Sequence, residues 1–230
     1  MKDIRAILFD KDGTLIDFEA SWAPGMQALL DAVAPNDPDL HATLARSAGF
    51  DYIAGTFTGG SVFVNGTTAD MMDHWKLAVP TLDADDVMAK GEIAFTGLTP
   101  VPLCDLPTLM QRLRADGYVL GVVTNAAYAP TIVQLEKLNI LEHFDMVIGC
   151  DSGFTPKPAG DTIVGFCQQM GFDPQQVAMV GDSTHDLNAG RNAGVGVNVG
   201  VLSGPASHAQ IADFADVILD DITGLPDIFS

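Results

Sequence analysis

Short, dense apolar runs alternate with longer stretches of helical spacing over most of this chain. That texture is the signature of a parallel sheet joined by crossover helices. The run 4–9, apolar except for Arg5, reads as a buried strand because no polar alternation interrupts it. Further strands are expected at 119–124, 146–149, 177–181, 195–199 and 217–219. Helices are expected at 106–116, 129–138, 160–170 and 187–193. Gly117, Gly171 and Gly194 come just after three of these helices, where a left-handed C-terminal cap is common.

Between residues 18 and 98 the texture changes. Strand-like β-branched runs become scarce, and helical segments dominate at 22–34, 38–49, 67–77 and 83–96. The segment holds eleven acidic residues against three basic ones, Arg46, Lys76 and Lys90. It interrupts the α/β pattern directly after the first strand, and Pro100 and Pro102 mark the return. The expected fold is therefore α/β, a Rossmann-like parallel sheet with helices on both faces, carrying an inserted, mostly α-helical domain. The core would be 1–17 and 99–230, the insertion 18–98, whose length favours a separate domain over helices that merely cover one sheet face.

Charge narrows the function classes. A formal charge of −19 argues against nucleic acid, whose phosphates demand basic patches, and against an anionic membrane surface. Any phosphate site must bring its own positive charge. The charged N-terminus enters the first strand without a signal-peptide pattern, and no apolar run reaches the ~18 residues of a membrane span. Cys104, Cys150 and Cys167 are widely spaced and read as reduced thiols in a cytoplasmic protein.

Four clusters carry candidate chemistry. The first strand runs into Asp10-Lys11-Asp12-Gly13-Thr14, two carboxylates in the crevice where open α/β sheets bind ligands. Acids this close repel, which points to a cation between them or to unequal protonation. Gly13 supplies the freedom for a sharp turn. The strand 119–123 ends in Thr124-Asn125, a hydroxyl and an amide that can donate to an oxyanion, or simply a turn. Lys157 is flanked by Pro156 and Pro158, which stiffen its backbone root; the plain alternative is a solvated loop lysine. Finally Gly181-Asp182-Ser183-Thr184-His185-Asp186 ends a strand in hard oxygen donors suited to Mg²⁺, or in a helix cap. His185 reads as a solvent-facing loop residue.

Taken in order, these clusters resemble the four motifs of the haloacid dehalogenase superfamily, and 187–194 is similar to the segment after the last motif in its phosphoglycolate phosphatase-like branch. The resemblance implies that the insertion 18–98 is a cap. It also implies a phosphatase acting on a small-molecule phosphate monoester through an aspartyl-phosphate. Asp10 would be the nucleophile and Asp12 the acid that protonates the leaving group, then the base for water. Mg²⁺ would be held by Asp10, the Asp12 carbonyl, Asp182 and Asp186. Lys157 would steady the transition state. Asp12, Gly13, Thr124, Asn125 and Lys157 would form the phosphate-binding set.

The resemblance also defines alternatives. A dehalogenase would lack an acid at Asp12, because a halide leaves without a proton. A phosphonate hydrolase would need a cap lysine, and Lys76 and Lys90 have no context that singles them out. A sugar phosphomutase of the β-phosphoglucomutase type shares all four motifs, and a catalytically silent binding domain is the further alternative. Thr99-Pro100-Val101-Pro102-Leu103, Ala159-Gly160 and Lys11 depart from the phosphoglycolate phosphatase pattern and leave the substrate open, with 2-phosphoglycolate a candidate. Alternation turns Lys11 away from the nucleophile, in a structural role. Arg46, His74, Trp75, Lys76 and the turn Thr58-Gly59-Gly60-Ser61 are candidates for substrate contact. The expected partner is the monoester alone, without nucleic acid or membrane, and the chain a monomer or homodimer.

Overall fold

A strand buried on both faces has no use for polar alternation, and the central strands here are apolar on each side for that reason. The structure is a computed structural model and describes residues 3–58 and 60–229. The sheet strands are β1 (Ala6–Phe9), β2 (Val119–Val123), β3 (Met146–Ile148), β4 (Val177–Gly181), β5 (Val197–Val201) and β6 (Val217–Leu219). Their order is β6-β5-β4-β1-β2-β3, parallel throughout. Ile7 and Phe9 pack on one face with Leu106, Met110, Leu113 and Leu135. Ala6 and Leu8 pack on the other with Ile163, Phe166, Cys167 and Ala189. The expected Rossmann-like sheet with helices on both faces is the fold observed.

The chain departs from β1 in both directions across the sheet, so the topological switch point lies at β1, between β4 and β2. In open α/β sheets the crevice beyond the strand ends at that point is where ligands bind. Phe9 is in register with Val122 and Val180, which brings the residues after β1, β2 and β4 to one level.

Two departures from expectation have clear local reasons. The strand expected at 195–199 starts two residues later, as Val197–Val201. Val195 N–H closes the preceding helix on Gly190 O, and Gly196 N–H bonds to Pro174 O and Val177 O. The continuation was hidden by Asn198 and Gly200; Asn198 is buried, with its amide donating to Leu187 O at 3.0 Å. The helix expected at 187–193 begins earlier, at Thr184–Ala193, because Ser183 caps it and Asp186 completes a capping box.

By contact the chain divides into two compact units, Met1–Asp17 with Pro102–Ser230, and Phe18–Val101. The second runs past the 98 boundary read from the sequence. It is built from helices Phe18–Val33, Pro38–Ala48, Thr68–Ala78 and Ala84–Phe95. Its core gathers Met26, Leu30, Leu44 and Trp75, with Phe57 stacked on Phe63 at 5.2 Å. Sequence texture missed an antiparallel pair, Phe50–Asp51 with Thr56–Phe57, and the short helix Val62–Asn65. Among the described residues no helix is long and apolar enough to cross a membrane.

Candidate active site

Three of the four motifs lie at the C-terminal ends of parallel strands and the third in chain order on a loop, and the α/β unit brings all four together. Asp10 comes directly after β1 with its N–H on Val180 O at 2.9 Å. The turn after it is closed by the Lys11 carbonyl, which accepts from Leu15 at 2.9 Å and Ile16 at 3.1 Å. Gly13 adopts φ +84°, open to glycine at little cost. A Cβ there would also lie 2.6 Å from Asp182 Oδ2. The Gly13 N–H donates to Ile16 O at 2.8 Å, so Gly13 shapes the turn and, contrary to expectation, points no donor into the site.

The Lys157 ammonium is the hub. It donates to Asp10 Oδ1 at 2.6 Å, Asp186 Oδ1 at 2.5 Å and Val123 O at 3.0 Å. An ammonium has three N–H groups, and all are used. Lys157 is thus no solvated loop lysine, and toward a phosphate it would act through charge rather than through an idle donor. Its loop is clasped by Asn125, whose amide donates to Lys157 O at 2.9 Å and accepts from Lys157 N–H at 3.0 Å. Asn125 therefore has a second task beside the phosphate reading: its carboxamide sets the lysine loop through one N–H and its oxygen. Thr124 is buried, its hydroxyl accepting from Ala126 N–H at 3.1 Å while still able to donate.

Asp186 takes both roles read from the sequence. Its Oδ1 faces Lys157, and its Oδ2 accepts from Ser183 N–H at 3.0 Å and Ser183 Oγ–H at 2.6 Å as part of the helix cap. Asp182 accepts a long 3.4 Å bond from Thr14 Oγ1. It is also walled by Gly204, where a Cβ would lie 1.9 Å from its carboxylate. The sequence reading did not single out the Ser203-Gly204 turn; a glycine shortly after an apolar strand was the available signal. Ser203 Oγ–H ties that turn to Gly13 O at 2.7 Å. His185 lies in the first turn of the helix rather than on a loop, half-buried, and its Nδ1 has no hydrogen-bond partner among the described residues.

Oxygens of Asp10, Asp182 and Asp186 lie within 4.8 Å of one another, all three residues buried. Burial is the largest influence on Asp10 and pushes it up from 3.8 to about 7, against the pull of Lys157. Burial, then Asp186 and Asp10, raise Asp182 well above the usual carboxylate range. Burial by itself would lower Lys157, but Asp10 and Asp186 together outweigh it and the ammonium ends above the ordinary lysine value. Fully ionised, these three carboxylates and one ammonium sum to −2. The charge deficit, the oxygen-only donors and the glycine-walled cradle around Asp182 fit a hard divalent cation. By contrast burial raises the Cys104 and Cys167 thiols to about 11, so neither is an activated nucleophile.

The substrate-contact candidates of the helical unit separate. Trp75 is fully buried with its indole N–H on Leu44 O, and Ser61 is buried with its hydroxyl on Ala48 O. Both are internal, correcting the expectation. His74, Lys76 and Gly60 are exposed, and Arg46 shares an open groove with His41 and Tyr52. Gly59 lies outside the described residues.

The family model for haloacid dehalogenase-like hydrolases matches residues 4–194. The phosphoglycolate phosphatase of Escherichia coli K12 is 31% identical over 98% of this chain and 94% of its own length. In fold, the chain is similar to a predicted phosphoglycolate phosphatase from Haemophilus somnus 129pt (TM-score 0.75, 22% identity, all of both chains). It is also similar to a protein described as a β-phosphoglucomutase from Thermotoga maritima (TM-score 0.69, 18% identity, 98% of both chains).

Proposed function

This chain belongs to the haloacid dehalogenase-like hydrolase family and is a phosphatase, and from that premise we propose a Mg²⁺-dependent hydrolase of small phosphate monoesters that works through an aspartyl-phosphate on Asp10. The observation that carries this reading is the buried cluster in which Lys157 bonds both Asp10 and Asp186 while Asp182 completes a cation-sized ring of oxygens. Asp10, the Asp12 backbone carbonyl, Asp182 and Asp186 would hold the cation. When bound it supplies the positive charge that keeps the buried acids ionised and offsets the phosphoryl oxygens.

The remaining work falls to the chain. Asp10, fixed through Oδ1 by Lys157, attacks phosphorus; an O–P bond forms on Asp10 as the ester P–O bond breaks. The leaving alkoxide takes a proton from Asp12. Asp12 then removes a proton from water, which attacks phosphorus and frees Asp10 and inorganic phosphate. Lys157 and the Thr124 hydroxyl oppose the charge that builds on the transferring group. The physiological substrate is proposed to carry a carboxylate, as 2-phosphoglycolate does, on the 31% identity to a phosphoglycolate phosphatase. The helical unit is proposed as a cap that selects among monoesters.

The test is phosphate release from p-nitrophenyl phosphate and a panel of monoesters including 2-phosphoglycolate. Mg²⁺-dependent release, stopped by EDTA and reduced by about four orders of magnitude or more in Asp10→Asn, is expected. Substantial turnover in that variant, or indifference to chelation, would refute the mechanism. A sugar phosphate isomerised without net phosphate release would mark a mutase instead.

A further inference from the structure

Lys11 stands between the two aspartates of the first motif, and alternation along a strand turns it away from Asp10. The structure gives that structural role a definite partner. Lys11 is 1% exposed, and its ammonium donates to Asp12 Oδ2 at 2.5 Å. The Asp12 side chain is 20% exposed. Burying an ammonium is costly, and an apolar side chain of like length would fill the same space without that cost. A charge kept here is better explained by what it does to Asp12.

Asp12 is held at both ends. Its main chain comes directly after the Lys11 carbonyl, which closes the turn on Leu15 and Ile16, and its carboxylate is gripped by the ammonium of that same residue. A carboxylate held through one oxygen has fewer directions in which its other oxygen can turn. We propose that Lys11 is a positioning residue for Asp12: it holds Oδ2, so that Oδ1 is the atom that gives the proton to the leaving oxygen and later takes one from water. Lys11 neither gives nor takes a proton in either step. The proposal rests on Asp12 being the acid–base group. Its energetic content is orientation, the kind of term lost steeply when a catalytic group is free to rotate.

Leaving groups that need a proton should feel the loss of Lys11 more than those that do not. Lys11→Met and Lys11→Gln, with Asp12→Ala alongside, are compared in single turnovers of phenyl phosphate and p-nitrophenyl phosphate at saturating Mg²⁺. The expected result is that Lys11→Met slows phenyl phosphate about tenfold more than p-nitrophenyl phosphate, and that Lys11→Gln, which keeps a donor for Oδ2, recovers part of the difference. Equal losses on both esters, or none, while Asp12→Ala still separates them, would overturn the proposal alone. If Asp12→Ala fails to separate the esters, the acid–base reading falls and takes the proposal with it. Should Lys11→Met not fold, Lys11→Leu, which likewise offers no donor, takes its place under the same criterion.

Discussion

In the α/β unit the functional charges are packed out of water: Lys157 is 5% exposed, Asp182 and Asp186 2% each, every one bonded to another element of that unit or walled by it. In the helical unit the cations lie at the surface, with Arg46 at 3.4 Å from Thr43 and Lys90 paired one helical turn away with Asp86. The contrast is one of dielectric. Charges fixed in a dry site act on each other and on a reacting group at several times their strength in water, whereas exposed ones are screened and individually worth little. The first set has the strength to drive a reaction; the second does not.

The comparison is broken most directly at its hub. Lys157→Met removes the cation bonded to Asp10 and Asp186 and should slow turnover by about 10³-fold or more, read in single-turnover assays. It should also cost about 3–5 kcal/mol of stability, read by urea denaturation, because two buried carboxylates lose their partner. A milder loss on both counts would mean the site is wetter than its burial indicates.

In the helical unit the large effect should come from packing instead. Trp75→Ala is expected to cost about 3–5 kcal/mol by urea denaturation. A raised KM with undiminished stability would instead return Trp75 to the substrate.

The buried acids also predict a pH dependence. Asp10 is raised from 3.8 to about 7 and Asp182 is raised as well, burial being the largest cause for each. Between about pH 4 and about pH 7 the metal-free folded protein therefore binds more protons than the unfolded chain, and stability contributed by these groups falls as pH rises. Urea midpoints without metal should decline across that window. Saturating Mg²⁺ should flatten the decline, and Asp10→Asn should reduce it. A metal-free midpoint that is flat there would show the cluster to be compensated already.

The smallest effect belongs to the exposed cations. Arg46→Ala should change KM for a carboxylate-bearing monoester by less than about fivefold and leave kcat alone, measured by steady-state kinetics. A large fall in kcat would erase the distinction between the units.

The sequence showed its four motifs at strand ends and on one loop, and their resemblance, taken in order, to the haloacid dehalogenase motifs implied the reaction class. It stopped short at three kinds of place. Gly204 is one glycine among twenty-three, and only the close approach to Asp182 distinguishes it. Trp75 lies beside exposed His74 and Lys76, and helical spacing was needed to see that it turns inward. Asn125 looked like an oxyanion donor because its own strand end suggests one, while its partner is thirty-two residues away.

What the amino-acid sequence determined by itself was the order of strands and helices, the doubly buried sheet and the four motifs, because periodicity and strand-end residue types are local properties of the chain. What only the tertiary structure decided was which donor meets which acceptor: Lys157 on Asp10, Asp186 and the Val123 carbonyl, Asn125 on the lysine loop, and Gly204 against Asp182. Those partners are distant along the chain, and their strength comes from a shared exclusion of water that arises only when the sheet is assembled.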